Sequence, residues 1–334
     1  MKRTKVPRIG VIGAGYWGAK VVRVCAELGM LACVCESDAG ARERVATQYP
    51  HVPIVRDPAA IFASDIDGVA IATPPATHVE LALEAIAAGK HVFVEKPLAL
   101  HVEDAWTVTH AARAGGRMLV TGHLLRYHPA VVRAHALIAS GAIGTLRHVR
   151  AQRVAFGRLR ANENVWWSLA PHAIALVLAF LGDDPAAVSG TMHAFVRPEI
   201  ADIAYADLAF EGGRSAHVEV NWLDPNKRAV LDLFGSTGVL RFSDAPGEAT
   251  LTITPCGSAL DAHGTPELWR EEAHPIAFEA IEPLRAEFAA FGRALATGEP
   301  PPTEGDEGAR VVAVLAALER ANASRHVIPA EALL

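Results

Sequence analysis

Residues 8–18 read RIGVIGAGYWG: a short apolar strand runs directly into glycines spaced GxGxxG, and a helical pattern follows. The glycine spacing alone is weak, but its setting gives each glycine a separate task. Gly13 makes the tight turn off the strand, Gly15 lets the backbone approach a ligand, and Gly18 lets the next helix close onto the sheet. Free amides at the positive end of that helix form a seat for phosphate groups. An acid, Glu36, ends the next apolar run 23 residues after Gly13. Strand, glycine turn, helix, strand and terminal acid together make a dinucleotide-binding unit, which requires a parallel sheet flanked by helices.

The same alternation continues through the first 120 or so residues. RIGVIG, MLACVCE, VPIV, GVAIAT, HVFVEK and RMLVTG are candidate strands, separated by helical patterns such as 77–88 and 102–114. After Gly122 the rhythm changes. A helix over 128–140 leads to a strand near 146–154 and an apolar helix over 172–181. Six strand patterns then follow with no helix between them: VSGTMHAF, IAYADLAF, SAHVEVNWL, AVLDLFG, GVLRFS and TLTITP. Helical patterns over 284–297 and 308–321 close the chain. The expected fold class is α/β: an N-terminal Rossmann doubly wound parallel sheet over 1–123, and a C-terminal α+β domain over 124–334 with an open, mostly antiparallel sheet.

Composition excludes several partners. The 334 residues suffice for two domains and a substantial core, and the net charge is −6 with no basic stripe, so nucleic acid is not expected. Apolar runs such as 173–181 are too short to span a bilayer, and MKRTKVPR leads straight into the first strand, so neither a membrane nor a cleaved signal is expected. Cys25, Cys33, Cys35 and Cys256 lack metal-site spacing and read as small hydrophobes in a reducing cytoplasm, with no metal.

The strand ends carry the chemistry. Glu36 can accept both ribose hydroxyls of an adenosine but repels a 2′-phosphate, and the nearest downstream arginine is Arg42, so NAD is expected over NADP. Asp38 reads as a helix N-cap. Thr73 and Pro74, in TPPATH after the fourth strand, lie at the edge where such sheets bind ligands; Thr77 can equally cap the next helix. The fifth strand ends in HVFVEKP. An apolar strand that stops on Glu95 and Lys96, with Pro97 fixing the turn, puts an ammonium where the nicotinamide end of the cofactor belongs. A lysine held there can hydrogen-bond a hydroxyl and stabilise the alkoxide that develops as hydride leaves carbon.

GAGYWG, TPP and EKP together resemble the Gfo/Idh/MocA family over essentially the whole chain. The resemblance implies NAD(P)-dependent oxidation or reduction at a ring carbon of a sugar or cyclitol, with Lys96 catalytic. It also implies that His172, in WWSLAPHAI, is the general base, read here in the first turn of its helix; imidazole suits the task because its ordinary pKa lies near working pH. The family's Asp-x-x-x-His has Ser168 in place of the aspartate. GHLLRYHPA, WWSLAPHAI and NWLDPNKR resemble a nucleotide-sugar branch, which implies oxidation of the 3-hydroxyl of UDP-N-acetylglucosamine and a transaminase that consumes the ketone. Inositol or free-sugar oxidation and NADP-dependent 3-ketosugar reduction are the alternatives; a catalytically silent dinucleotide sensor is the rival outside enzymes. Expected cofactor contacts are Gly13, Gly15, Tyr16, Trp17, Gly18, Glu36, Thr73, Pro74, His78, Glu95, Lys96 and Arg126. Expected substrate contacts are Lys96, His123, Arg153, Arg158, Asn164, Trp166, Ser168 and His172. A homodimer or homotetramer through the C-terminal sheet completes what the resemblance implies.

Overall fold

The computed structural model describes residues 6–157, 159–160, 163–245 and 248–324. In chain order the first elements are β1 (Ile9–Ile12), α1 (Gly18–Glu27), β2 (Leu31–Cys35), α2 (Ala39–Gln48), β3 (Ile54–Val55), α3 (Pro58–Phe62), β4 (Gly68–Ile71), α4 (His78–Ala87), β5 (His91–Glu95), α5 (Val102–Ala114) and β6 (Leu119–Gly122). After α6 (Pro129–Ala139), β7 (Leu146–Phe156) and α7 (Val165–Leu181) come β8 (Ala187–His193), β9 (Ile203–Ala209), β10 (Ser215–Asn221), β11 (Leu223–Gly235), β12 (Gly238–Ala245) and β13 (Glu248–Leu260). Two strands not anticipated from sequence, β14 (Pro266–Arg270) and β15 (His274–Pro275), precede α8 (Pro283–Thr297) and α9 (Gly305–Ser324).

Two compact units result: Met1–Pro129 with Ala280–Val312, and Ala130–Glu279 with Ala313–Leu334. A boundary placed at 123/124 does not anticipate the return of residues 280–312 to the first unit. The reason is packing. Phe288 and Phe291 of α8 are fully buried, and their rings lie 4.6 and 5.9 Å from that of Phe93 in β5. A Cβ on Gly292 would lie 2.6 Å from the sulfur of Met30, so α8 packs closely there and a larger residue would require the Met30 side chain to move. Thr303 and Glu304 then run beside β6, where the Thr121 amide donates to the Thr303 carbonyl.

The first unit's sheet has the order β3-β2-β1-β4-β5-β6 with every pairing parallel, as the strand–helix alternation predicts. Its strands are buried on both faces, which is why they read as continuous apolar runs. In the second unit the sheet runs β14-β13-β12-β11-β7-β10-β9-β8, with β15 beside β13. It is antiparallel except where β10 pairs β7 in parallel. Helix α7 packs on the face built from residues such as Val149, Ala151, Ala206 and Val218. The opposite face is polar, and there Asp232, 1% exposed, accepts from both Arg150 and Arg241. Among the described residues no helix is long and apolar enough to cross a membrane.

Candidate active site

Strand register builds one edge of the first unit. Ile12 lies abreast of Ile71, Ile71 of Val94, and Glu95 of Gly122. The loops that open with Gly13, Ala72, Lys96 and His123 therefore leave the sheet from the same side. Between β1 and β4 the strand order reverses, which is where open α/β sheets bind ligands.

Gly13 has φ +91°, and a Cβ there would lie 2.8 Å from the Ala72 carbonyl oxygen. A Cβ on Gly18 would lie 2.1 Å from the Gly13 oxygen, so helix and turn touch backbone to backbone. Gly15 is different: its Cβ would meet nothing within 4 Å, leaving open room beside the start of α1. Turn, close helix and open cradle fit a pyrophosphate. Lys20 places its ammonium 5.0 Å from the ring centre of the exposed Tyr16 and 4.7 Å from that of Trp17.

Glu36, 8% exposed, accepts from the Ala14 amide at 2.6 Å and the Asp38 amide at 2.8 Å. Its carboxylate braces the glycine turn and keeps further acceptor sites for ribose hydroxyls. Asp38 caps α2 as expected, accepting from the Ala41 amide. Arg42 does not stay remote as its spacing implies. The first turn of α2 brings its guanidinium to 3.0 Å from the Glu36 carbonyl and 2.6 Å from that of Ser37. The guanidinium thus sits on the main chain of residues 36 and 37.

In the TPP loop the Thr73 and Thr77 hydroxyls are 2.7 Å apart, and Thr77 donates to the Pro74 carbonyl, so it makes no side-chain cap on α4. Pro74 is exposed at this turn and Thr73 half-buried. His78 is fully buried, with Nδ1 2.8 Å from the Pro97 oxygen and Nε2 2.9 Å from the Thr73 oxygen. Burial lowers its pKa against the pull of those two carbonyls. The ring ties the TPP loop to the EKP turn and offers no exposed nitrogen to a cofactor.

The lysine turn is built around Glu95, 7% exposed. Its Oε1 accepts from Trp17 Nε1 at 2.5 Å and its Oε2 from the Lys96 amide at 3.3 Å. Burial pushes the carboxyl up to about 7, while Trp17 and Lys96 pull it down. Across the strand, a Cβ on Gly122 would lie 3.0 Å from Glu95 Oε2. Lys96 itself is half-buried, and the Lys96–Pro97 bond is cis. His123 is 1% exposed, its Nδ1 2.6 Å from Glu307 Oε2. Arg126 Nε lies 3.9 Å from Glu307 Oε1, and burial lowers the Arg126 pKa. Tyr127 hydrogen-bonds Thr303. Glu307 and Thr303 were missed from sequence; the acidic first turn of α9, GDE, was the available signal.

In the second unit two expectations are corrected, for His172 and for Trp166. Helix α7 starts at Val165, so His172 stands two turns inside it rather than in its first turn. The Asn164 side chain accepts from the Trp167 amide and caps the helix ahead of Pro171, which sits within it. Proline there cannot donate to the Trp167 carbonyl, but the cap and the buried apolar face sustain the helix. Asn164 also donates to Glu319, so its side chain is engaged in structure. Trp166 is fully buried and donates to the Leu315 carbonyl, which makes it a core residue rather than a ligand contact. Ser168, buried, and His172, half-buried, are one helical turn apart on one face. Arg153 lies on β7, where burial lowers its pKa against the charge of Asp244. Arg158 lies outside the described residues. Trp222 is buried and donates to Asp202, while Lys227 and Arg228 lie on an exposed stretch of β11.

Comparison with known proteins agrees with this architecture. Residues 7–123 match the oxidoreductase family with an NAD-binding Rossmann fold, and residues 131–241 match the GFO/IDH/MocA C-terminal domain. UDP-N-acetylglucosamine 3-dehydrogenase from Acidithiobacillus ferrooxidans is 29% identical over 92% of this chain and 94% of its own. Its solved structure superposes with a TM-score of 0.83, covering 96% of this chain and 99% of that one at 26% identity. An oxidoreductase structure from Magnetospirillum magnetotacticum is 30% identical, with a TM-score of 0.82 over 94% of this chain and all of that one. Inositol 2-dehydrogenase 2 from Saccharopolyspora erythraea is 29% identical over 64% of this chain and 66% of its own. The glycine turn at a strand-order reversal, the lysine at the end of β5 and the two matched domains lead to one conclusion: the chain belongs to the Gfo/Idh/MocA family of oxidoreductases.

Proposed function

We propose that this oxidoreductase uses NAD to oxidise the 3-hydroxyl of a nucleotide sugar, UDP-N-acetylglucosamine, to the 3-keto form that a transaminase consumes. The observation that carries the reading is the half-buried lysine at the end of β5, on the sheet edge that also holds the open Gly15 cradle. The likeness to UDP-N-acetylglucosamine 3-dehydrogenase over nearly the whole chain supports the substrate. Gly13, Gly15 and Gly18 hold the pyrophosphate, Glu36 the adenosine ribose, and Thr73 and Pro74 the loop beside it; Tyr16, Trp17, Glu95 and Arg126 complete that contact set. The bound nicotinamide supplies the hydride acceptor. Lys96 holds the reacting oxygen and offsets its developing charge, and His172 takes the hydroxyl proton. Ser168, His123 and Arg153 are the remaining substrate contacts of this reading. A homodimer or homotetramer joined through the polar face of the second unit's sheet belongs to it as well.

Purified protein with NAD and UDP-N-acetylglucosamine, with glutamate and an aminotransferase to remove the ketone, should reduce the cofactor, seen by absorbance. Oxidation of myo-inositol or a free aldose without turnover of the nucleotide sugar refutes the substrate. Arg42 beside Glu36 favours a second reading, NADP-dependent reduction of a 3-ketosugar. Cofactor preference, measured in both directions, separates the two.

A further inference from the structure

Helix α8 carries one residue that its apolar face does not explain. Leu284, Phe288, Phe291 and Ala294 are buried as an amphipathic helix requires, but Glu287 is buried with them at 1% exposure. Neither of its carboxyl oxygens has a hydrogen-bond partner. The charges that act on it most are themselves acidic: Glu95 at the end of β5 and Glu307 in α9. Glu95 takes the Trp17 indole and the Lys96 amide, and Glu307 takes His123 and faces Arg126 at 3.9 Å. Tyr127, next to Arg126, lies within electrostatic range of Glu287.

Three carboxyl groups within one interior do not all ionise, because each unscreened like charge raises the cost of the next. Glu95 and Glu307 each have hydrogen-bond partners; Glu287 has none. Among the described residues no group of three His, Cys, Asp or Glu is arranged to hold a metal. We propose that Glu287 is a proton-holding positioning residue, a neutral carboxylic acid behind the lysine turn. In that form it adds no charge beside Glu95 and Glu307, whose hydrogen bonds hold Trp17, the Lys96 backbone and His123 in place. The inference rests on the Lys96 turn being the reaction site, yet its test needs neither substrate nor cofactor.

Infrared difference spectra of the full chain, wild type minus Glu287→Gln, at about pH 8 should show the carbonyl stretch of a neutral carboxylic acid, a pH at which an ordinary glutamate is ionised. Denaturant unfolding against pH supplies the second readout. The folded wild type keeps a proton on Glu287 that the unfolded chain releases above the ordinary glutamate range. Wild-type stability therefore falls as pH rises toward the raised Glu287 value, while glutamine does not titrate. The ratio of wild-type to variant unfolding constants should rise with pH above the ordinary glutamate range, by up to about tenfold per pH unit, until the raised Glu287 value is reached. A purely structural role leaves that ratio constant, which overturns the proposal. So does an acid band that is missing from the wild type or shared by both proteins. If Glu287→Gln does not fold, Glu287→Met, uncharged and of similar volume, carries the same readouts. A wild-type spectrum without the band refutes the proposal by itself. Absence of turnover with the band present counts against the proposed function alone.

Discussion

Trp17→Phe isolates the link between the glycine turn and the lysine turn. Phenylalanine keeps an aromatic ring but loses the indole N–H that Glu95 accepts at 2.5 Å. A hydrogen bond to a charged group contributes about 1.5–3 kcal/mol, one between neutral groups about 0.5–1.5. Glu95 has a folded pKa of about 7, raised by burial above its ordinary value. Its neutral form therefore supports the fold at low pH, and that support is lost as pH rises through about 7. Removing the indole donor raises the folded value further, so the variant continues to lose stability at pH values where the wild type has levelled off. The destabilisation should be about 1 kcal/mol near pH 5.5, where Glu95 is neutral, and about 2–3 kcal/mol near pH 8.5. Lost ring area and the weakened Lys20 contact add an offset of roughly 0.5–1 kcal/mol that does not depend on pH. Urea unfolding curves at the two pH values measure the difference. Equal destabilisation at both, or a larger one in acid, would show that Trp17 only packs.

Two other substitutions test the cofactor pocket and the core. Glu36→Ala removes the acceptor for the Ala14 and Asp38 amides along with the charge that repels a 2′-phosphate. NAD affinity should fall about tenfold or more, and the NADP-to-NAD preference should rise as long as Arg42 is kept; calorimetry with both cofactors decides. Phe288→Ala empties a fully buried site against Phe93 and should cost about 3–5 kcal/mol in denaturant unfolding, whereas a loss below about 1 kcal/mol contradicts the packing described.

Local rules made the first sheet legible. Continuous apolar runs, glycines at a strict spacing and an acid at a strand end act through neighbours in sequence, so β1, α1, β2 and the lysine turn were readable without coordinates. Contacts across long separations were not. Nothing near Phe93 says that Phe288 and Phe291 cover it, and nothing near His123 says that Glu307 pairs with it. His172 was misplaced within its helix because Pro171 looks like a first-turn residue, while the Asn164 cap that starts α7 lies one residue before Val165. Trp166 reads from the sequence as a ligand contact, and its burial and its bond to the Leu315 carbonyl show it to be core. Arg42 shows the same limit at short range: a linear count made it distant, and one helical turn brought it back.

The return of residues 280–312 to the first unit bears on how the chain is made. A ribosome finishes the last parallel strand long before it supplies the aromatic cover for Phe93. At about 5–20 residues per second, that interval lasts on the order of ten to forty seconds. During it the Phe93 face of the nascent nucleotide-binding half lacks the Phe288 and Phe291 rings that cover it in the finished fold. A transplant of this cofactor module into another protein would likewise need both pieces, since neither stretch alone carries the whole core.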